Sequence, residues 1–322
     1  MIAILLVGFN RPQATIKSIV RIQKICREIK NCNLVVSIDG PRKANIADHG
    51  NQRKFDLFFK DLLELESFQV LRHKRNLGVD SHIPKTLTQI FRDFEGILVI
   101  EDDIEFSDAT IFSMLVRLKE SIKKSELSPI LGMSGRKIPV STNLRIQPKW
   151  RYSIYFSAWG YALTRNFWEK HQERLFSQNS YVIGSLDTRN WSYLSHRQKT
   201  IWSERLIRKN YDYQIQRTMF ELDINSIAPN LRITHNAGFD DSKATNTRFS
   251  TPRYMKSRYL DHYVMSHEIG VRENSLQTRF LRFIDSNTWA GDGLLSKRGR
   301  TVGLRTTLNT VVGYFKRLRL PH

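Results

Sequence analysis

The first hundred residues alternate continuous apolar runs with stretches of helical periodicity, and few folds accommodate that alternation. Ile2 to Val7 is apolar throughout, and Gly96-Ile97-Leu98-Val99-Ile100 repeats the pattern. Leu34-Val35-Val36-Ser37-Ile38 and a short run from Phe68 to Leu71 lie between them. Helical stretches separate these runs: one opening at Arg11-Pro12, one from Phe55 to Leu65, one from His82 to Phe94. Proline in a first turn is well placed, because its missing N–H has no intrahelical partner to lose. Strands without polar alternation are buried on both faces, so the pattern predicts an α/β fold with a mostly parallel, Rossmann-like sheet flanked by helices. In such sheets ligands bind beyond the carboxyl ends of the strands. Polar residues collect there: Asn10 and Arg11, Asp39 before Gly40, and Glu101-Asp102-Asp103.

A chain of 322 residues is long enough for a sizeable core. With 40% hydrophobic and 25% charged residues it is globular and not disordered. No run approaches the roughly 20 apolar residues of a membrane span. The apolar N-terminal run lacks a positive region before it and a small-residue cleavage site after it, so it reads as a buried strand and not as a signal peptide. The two cysteines, Cys26 and Cys32, make neither a disulfide framework nor a metal site, and a reducing, cytoplasmic setting fits them. The net charge of +20 favours polyanionic partners: nucleic acid, anionic membrane or phosphorylated substrates.

Three carboxylates directly after a buried strand repel one another unless a cation neutralises them. A hard divalent ion that also bridges a diphosphate would do so, and would stabilise a phosphate leaving group. The alternative is a solvated acidic turn. Two other nucleotide sites are excluded: Gly8-Phe9-Asn10-Arg11-Pro12 does not supply G-x-G-x-x-G after the first strand, and no G-x-x-x-x-G-K-[ST] occurs.

Several short segments, in order and spacing, give the chain a family resemblance. They are Val7-Gly8-Phe9-Asn10-Arg11-Pro12, Val36-Ser37-Ile38-Asp39-Gly40, Arg75-Asn76-Leu77-Gly78, Glu101-Asp102-Asp103-Ile104-Glu105 and Ser157-Ala158-Trp159-Gly160-Tyr161. Tyr211-Asp212-Tyr213-Gln214, Pro229-Asn230 and Asn236-Ala237-Gly238-Phe239 follow. Over residues 4 to 247, some three quarters of its length, the chain resembles nucleotide-sugar-dependent glycosyltransferases of the GT-A fold. It is nearest the inverting N-acetylglucosaminyltransferase-like branch and its bacterial relatives. The resemblance implies a glycosyltransferase domain over 1–250, with a nucleotide-binding half (1–105) and an acceptor or catalytic half (106–250). A basic extension follows over 251–322. It implies that Asp103 ligates Mn²⁺ or Mg²⁺, and that Asp102 or Glu101 faces the ribose or sugar. Arg11 would reach the nucleotide phosphates, and Asp39 would hydrogen-bond the base or ribose; guanidinium and carboxylate suit those tasks.

Inverting transfer needs a carboxylate that takes the acceptor hydroxyl proton. Asp212 matches the acidic position of the family's W/Y-D-x-Q helix start, although Tyr211 stands where Trp is commoner. Glu204, after Ile201-Trp202-Ser203, is the rival, and an N-capping aspartate is the structural alternative. Trp159, beside small Ala158 and Gly160, is a candidate platform for a sugar ring, whereas Trp168 reads as core. His235 is a candidate neighbour of metal or diphosphate, and segment 238–243 a hinge-like loop. Leu304, Leu308, Val311, Val312, Phe315 and Leu318 recur at helical spacing among basic residues, the pattern of a helix lying on an anionic membrane or on protein.

The expected reaction is transfer from a nucleoside diphosphate sugar, with UDP-sugars favoured, to a glycan or glycolipid acceptor, with no nucleic-acid partner. Without a Golgi-type anchor, the expected setting is bacterial cytoplasm, peripheral to the inner face of the membrane, in surface polysaccharide or lipopolysaccharide assembly. A sugar nucleotidyltransferase would want a Gly-rich, basic loop after the first strand. A purely nucleic-acid- or lipid-binding protein would leave Glu101 to Asp103 without a purpose.

Overall fold

The computed structural model describes residues 1–63, 68–132, 150–176, 188–194, 196–229 and 233–237. The loop at 238–243, Asn230, and all of 251–322 with its basic helical pattern lie outside the described residues. The N-terminal part runs β1 (Ile2–Gly8), α1 (Pro12–Glu28), β2 (Cys32–Ile38), α2 (Ile46–Leu63), β3 (Gln69–Arg72), α3 (Val79–Ile90) and β4 (Gly96–Glu101). Next come β5 (Ile104–Phe106), α4 (Asp108–Lys123), β6 (Ile130–Leu131), β7 (Trp150–Ser153), β8 (Tyr161–Thr164) and α5 (Arg165–Phe176). The last elements are α6 (Arg189–Ser192), α7 (His196–Leu206), α8 (Tyr211–Glu221), β9 (Ser226–Pro229) and β10 (Thr234–Asn236).

One eight-stranded sheet has the order β3-β2-β1-β4-β8-β6-β9-β7, with β8 and β7 running against the other six. The expected mostly parallel sheet is therefore present. β8, from the second half of the chain, pairs directly with β4, so both halves share this sheet. β5 and β10 form a separate antiparallel pair in which His235 stands opposite Glu105.

β1 and β4 are apolar almost from end to end because both their faces are covered. Alternate residues serve different layers, as the two-residue period of a strand requires. Ile2, Ile4 and Leu6 of β1 and Leu98 and Ile100 of β4 pack with Ile19, Phe55 and Met114 of α1, α2 and α4. Ala3, Leu5 and Val7 of β1 and Ile97 and Val99 of β4 pack with Ile83, Trp168 and Ile215 of α3, α5 and α8. Trp168 is core, as expected, its ring stacked on Phe91 at 5.9 Å.

Two helices start earlier than the sequence pattern predicts. α2 begins at Ile46 because Asn45 caps it, its Oδ1 accepting from the Asp48 N–H at 3.2 Å. α3 begins at Val79, directly after Gly78 with φ +74°. Apolar and polar residues from Thr200 to Leu222 are divided between two helices, α7 and α8, broken between Leu206 and Tyr211. Cys26, in the last turn of α1, and Cys32, opening β2, are free thiols with sulfurs 3.4 Å apart.

Candidate functional site

The adjacent acidic residues ending β4 do not share one pocket. The strand's alternation continues through them. Glu101 extends the Ile97–Val99 side toward α8, and Asp102 extends the Leu98–Ile100 side toward α1. Asp102 Oδ1 accepts from Arg11 Nη1 at 2.7 Å, and its Oδ2 lies near the Thr15 hydroxyl at 3.4 Å and the Phe9 N–H at 3.5 Å. The same Arg11 nitrogen lies 3.2 Å from Asp103 Oδ2. A guanidinium thus bridges the Asp102–Asp103 pair and offsets part of its charge. Burial raises the Asp102 carboxyl to about 6, against the opposing pull of Arg11.

On the other side, Glu101 Oε1 accepts from the Tyr211 hydroxyl at 3.2 Å. The Tyr161 ring lies alongside, its centroid 6.4 Å from that of Tyr211. Burial, then the Asp103 and Asp102 charges, push the Glu101 carboxyl up to about 8. Glu101 is therefore largely neutral at pH 7. Asp212 follows Tyr211 in the first turn of α8, close enough for its charge to raise Glu101 further. Its own carboxyl is raised above the usual range, chiefly by burial and also by the Asp80 charge, while backbone N–H groups of the helix start and Arg205 oppose the rise.

Arg11, Asp102, Asp103, Glu101 and Asp212 are thus brought together around the carboxyl end of β4, between the N-termini of α1 and α8. Trp159, partly buried against the α1-side core, lies two residues before Tyr161, and its carbonyl accepts from the Thr234 hydroxyl at 3.1 Å. Gly160 between them has φ +75°, a conformation that a side chain there would strain.

The other sequence candidates lie on α7, on β10 and at the end of β2. Glu204 is on the exposed side of α7. His235, within β10, is in register with Glu105, and two residues on the Ala237 N–H donates to the Asp103 carbonyl at 2.8 Å, so β10 runs beside the acidic cluster. Asp39 is 3% exposed, and its carboxylate accepts four hydrogen bonds from its own chain. The donors are the N–H groups of Gly40, Leu77 and Gly78 and the Asn76 side chain, at 2.8 to 3.0 Å. That set fills the carboxylate's lone-pair directions, leaving no acceptor position for a base or ribose. The same close approach requires Gly40, since a Cβ there would stand 2.3 Å from the Arg75 carbonyl carbon.

Thr15 and Asp80 escaped the sequence reading, as did the bond between Tyr211 and Glu101. These three contacts span 87 to 131 residues, which no local spacing encodes. Among the described residues, no three His, Cys, Asp or Glu side chains assemble as a metal-ligand group. The donor set fits a hard cation of the Mg²⁺ or Mn²⁺ kind, which takes one or two protein carboxylates and completes its shell with phosphate oxygens and water. Asp103 is the partly exposed carboxylate, and the guanidinium already beside it marks a place where positive charge is held.

No protein-family model matches the chain, and no curated protein matches it. Among solved structures it is similar to the mannosyltransferase PcManGT from Pyrobaculum calidifontis, solved with GDP-Man and Mn²⁺. The identity is 11%, over 52% of this chain and 46% of that one, with a TM-score of 0.35. It is also similar to S. aureus TarS 1-349, at 12% identity over 72% of this chain and 58% of that one, with a TM-score of 0.39. The chain therefore spans about half the length of these structures, and both are distant likenesses.

Proposed function

We propose that the chain is a metal-dependent glycosyltransferase that moves a sugar from a nucleoside diphosphate donor to an acceptor hydroxyl with inversion. The observation that carries this reading is the placing of two opposed groups about the end of β4: the Arg11–Asp102–Asp103 cluster on one side and the partly buried Asp212 on the other. Asp212 serves as general base, taking the acceptor's proton. Its raised affinity for protons suits a group that must be ionised at working pH and yet accept one. Arg11 exchanges its carboxylate partners for the diphosphate oxygens of the donor. A divalent ion on Asp103, Mn²⁺ or Mg²⁺, supplies charge stabilisation for the leaving diphosphate. Neutral Glu101, hydrogen-bonded to Tyr211, and Asp102 form the floor toward the donor sugar. Trp159 offers an apolar face to it, and Asp39 acts by fixing residues 76–78.

A UDP-sugar is the favoured donor, and a glycan or glycolipid of bacterial surface polysaccharide or lipopolysaccharide the favoured acceptor. No helix among the described residues is long and apolar enough to cross a membrane. The basic pattern at 294–322 would hold the enzyme at an anionic surface, where each Lys or Arg adds about 1 kcal/mol. The test is a thermal shift with UDP plus Mn²⁺, UDP plus EDTA, and an oligonucleotide, followed by a nucleotide-sugar panel scored for metal-dependent hydrolysis. Stabilisation by UDP only with Mn²⁺, and hydrolysis of one donor, are expected. Stabilisation by oligonucleotide alone would replace this reading with a nucleic-acid-binding one.

A further inference from the structure

Helix α8 carries Tyr211 and Asp212 in its first turn, and the Asp212 carboxylate accepts from N–H groups of that turn, but the Tyr211 N–H is not capped by the residue before it. Asn210 occupies the N-cap position, where Asn is among the best capping residues, but its side chain makes no cap hydrogen bond. Its amide turns outward and donates to Asp80 Oδ2 at 3.2 Å. The cap comes instead from α3: Asp80 Oδ1 accepts from the Tyr211 N–H at 3.0 Å. Both oxygens of Asp80 therefore hold the start of a helix 131 residues away.

Asp80 is itself anchored. It lies two residues after Gly78, and Gly78, Leu77 and Asn76 are the donors gripped by buried Asp39 at the end of β2. The fixed points run from the sheet through Asp39 to residues 76–78, then through Asp80 to the first turn of α8. From there the Tyr211 hydroxyl returns to Glu101 on β4. A self-capped helix would have no such tether to α3 at its first turn.

We propose that Asp80 is a positioning residue for the general base, holding the first turn of α8, and with it Asp212, at a fixed place beside the end of β4. The proposal rests on the reading of Asp212 as base. Asp80 acts on Asp212 by place and by charge. The titratable and charged groups facing Asp212 are Asp80 from α3, Glu101 from β4 and Arg205 from α7, with the Tyr161 and Tyr211 hydroxyls beside Glu101. Asp80 raises the proton affinity of Asp212, and Arg205 lowers it.

The test uses Asp80→Ala and Asp80→Asn in the full chain. The alanine removes both the cap and the charge. The asparagine removes the charge and keeps a carbonyl oxygen for the Tyr211 N–H. Sugar transfer is measured against pH, and the Asp212 carboxyl is titrated by NMR in protein labelled with ¹³C-aspartate, the signal assigned with Asp212→Asn. Asp80→Ala is expected to lower kcat about 10-fold or more with donor KM held within about 2-fold, the signature of a misplaced base. Asp80→Asn should recover most of that loss. Both should move the Asp212 titration, and the acid limb of the rate profile, to lower pH. An Asp212 titration that stays at its wild-type position in Asp80→Asn, or wild-type turnover in Asp80→Ala, overturns the proposal. If the wild type transfers no sugar while the Asp212 titration still moves in Asp80→Asn, the glycosyltransferase reading falls and the Asp80–Asp212 linkage stands. The titration of Asp80→Asn decides the matter even if Asp80→Ala does not fold.

Discussion

Glu101 and Asp102 are neighbours in sequence and occupy different chemical surroundings, because successive side chains of a strand leave opposite faces. One is kept largely neutral beside a tyrosine, and the other is paired with Arg11. Asp103, the more exposed member, is the group expected to need a metal. Asp103→Ala should abolish metal-dependent nucleotide binding and transfer without changing the unfolding midpoint by more than a few degrees. Full activity in excess EDTA would remove the metal from the reaction. Asp212→Asn should keep donor binding and lower turnover by roughly 10² or more, the usual scale for losing a general base. The base works only when ionised, and burial raises its carboxyl. Wild-type turnover should accordingly fall as pH drops through a value above the 3.8 of an ordinary aspartate. Turnover of Asp212→Asn should be flat there. A dead Glu204→Gln beside an active Asp212→Asn would transfer the role to Glu204. The acidic triplet was legible in the sequence because it follows a recognisable strand. Its division between two faces follows from the same periodicity. The partners on each face could not be read, since Arg11 and Tyr211 reach β4 across 91 and 110 residues.

At the scale of elements, the parallel core was legible because an unbroken apolar run of strand length suits a strand covered on both faces, and β1, β2 and β4 fall where those runs lie. Helix ends were less legible, since they depend on caps and on packing. The start of α4 is a case with a local signal: Ser107 accepts from the Thr110 N–H. Ser107→Ala should cost about 1 kcal/mol in urea unfolding, the usual worth of such a cap, with little effect on nucleotide binding. The start of α8 has no such local signal, because its cap is Asp80. Gly40 shows how an element can depend on a distant segment: its α-carbon faces the Arg75 backbone with no room for a methyl group. Gly40→Ala should destabilise the protein by about 1–3 kcal/mol, the range for overpacking. It should also loosen residues 76–78, seen as faster amide exchange at Leu77 and Gly78. Unchanged exchange at those two amides would show that the loop yields without leaving Asp39.

For the whole molecule, the packing beneath β2 makes stability depend on pH. His82 is 2% exposed, its Nε2 2.6 Å from the Ser37 hydroxyl, and burial pushes it down to about 4 from 6.5. Between those values the unfolded chain binds a proton that the folded one excludes. The His82 contribution is therefore complete above pH 6.5, shrinks as pH falls toward 4 and is gone below it. A shift of that size corresponds to roughly 3 kcal/mol. Glu101, Asp102 and Asp212 act in the opposite direction, since folding raises their values. The His82 effect is thus read as the difference between wild type and His82→Gln in denaturant unfolding at about pH 7 and about pH 5. A gap that stays constant between the two pH values would mean that His82 takes up its proton in the folded state. The site's two sides are also joined late in the chain's length, Tyr211 to Glu101 across 110 residues and Tyr211 to Asp80 across 131. Contacts of such separation carry a loop-closure cost that local helix crossovers do not. A chain ending after β4 would carry Arg11 and the acidic cluster and lack Asp212, the proposed base. On the proposed function, the groups that grip the donor's phosphates and the group that takes the acceptor's proton thus come from separate lengths of the chain.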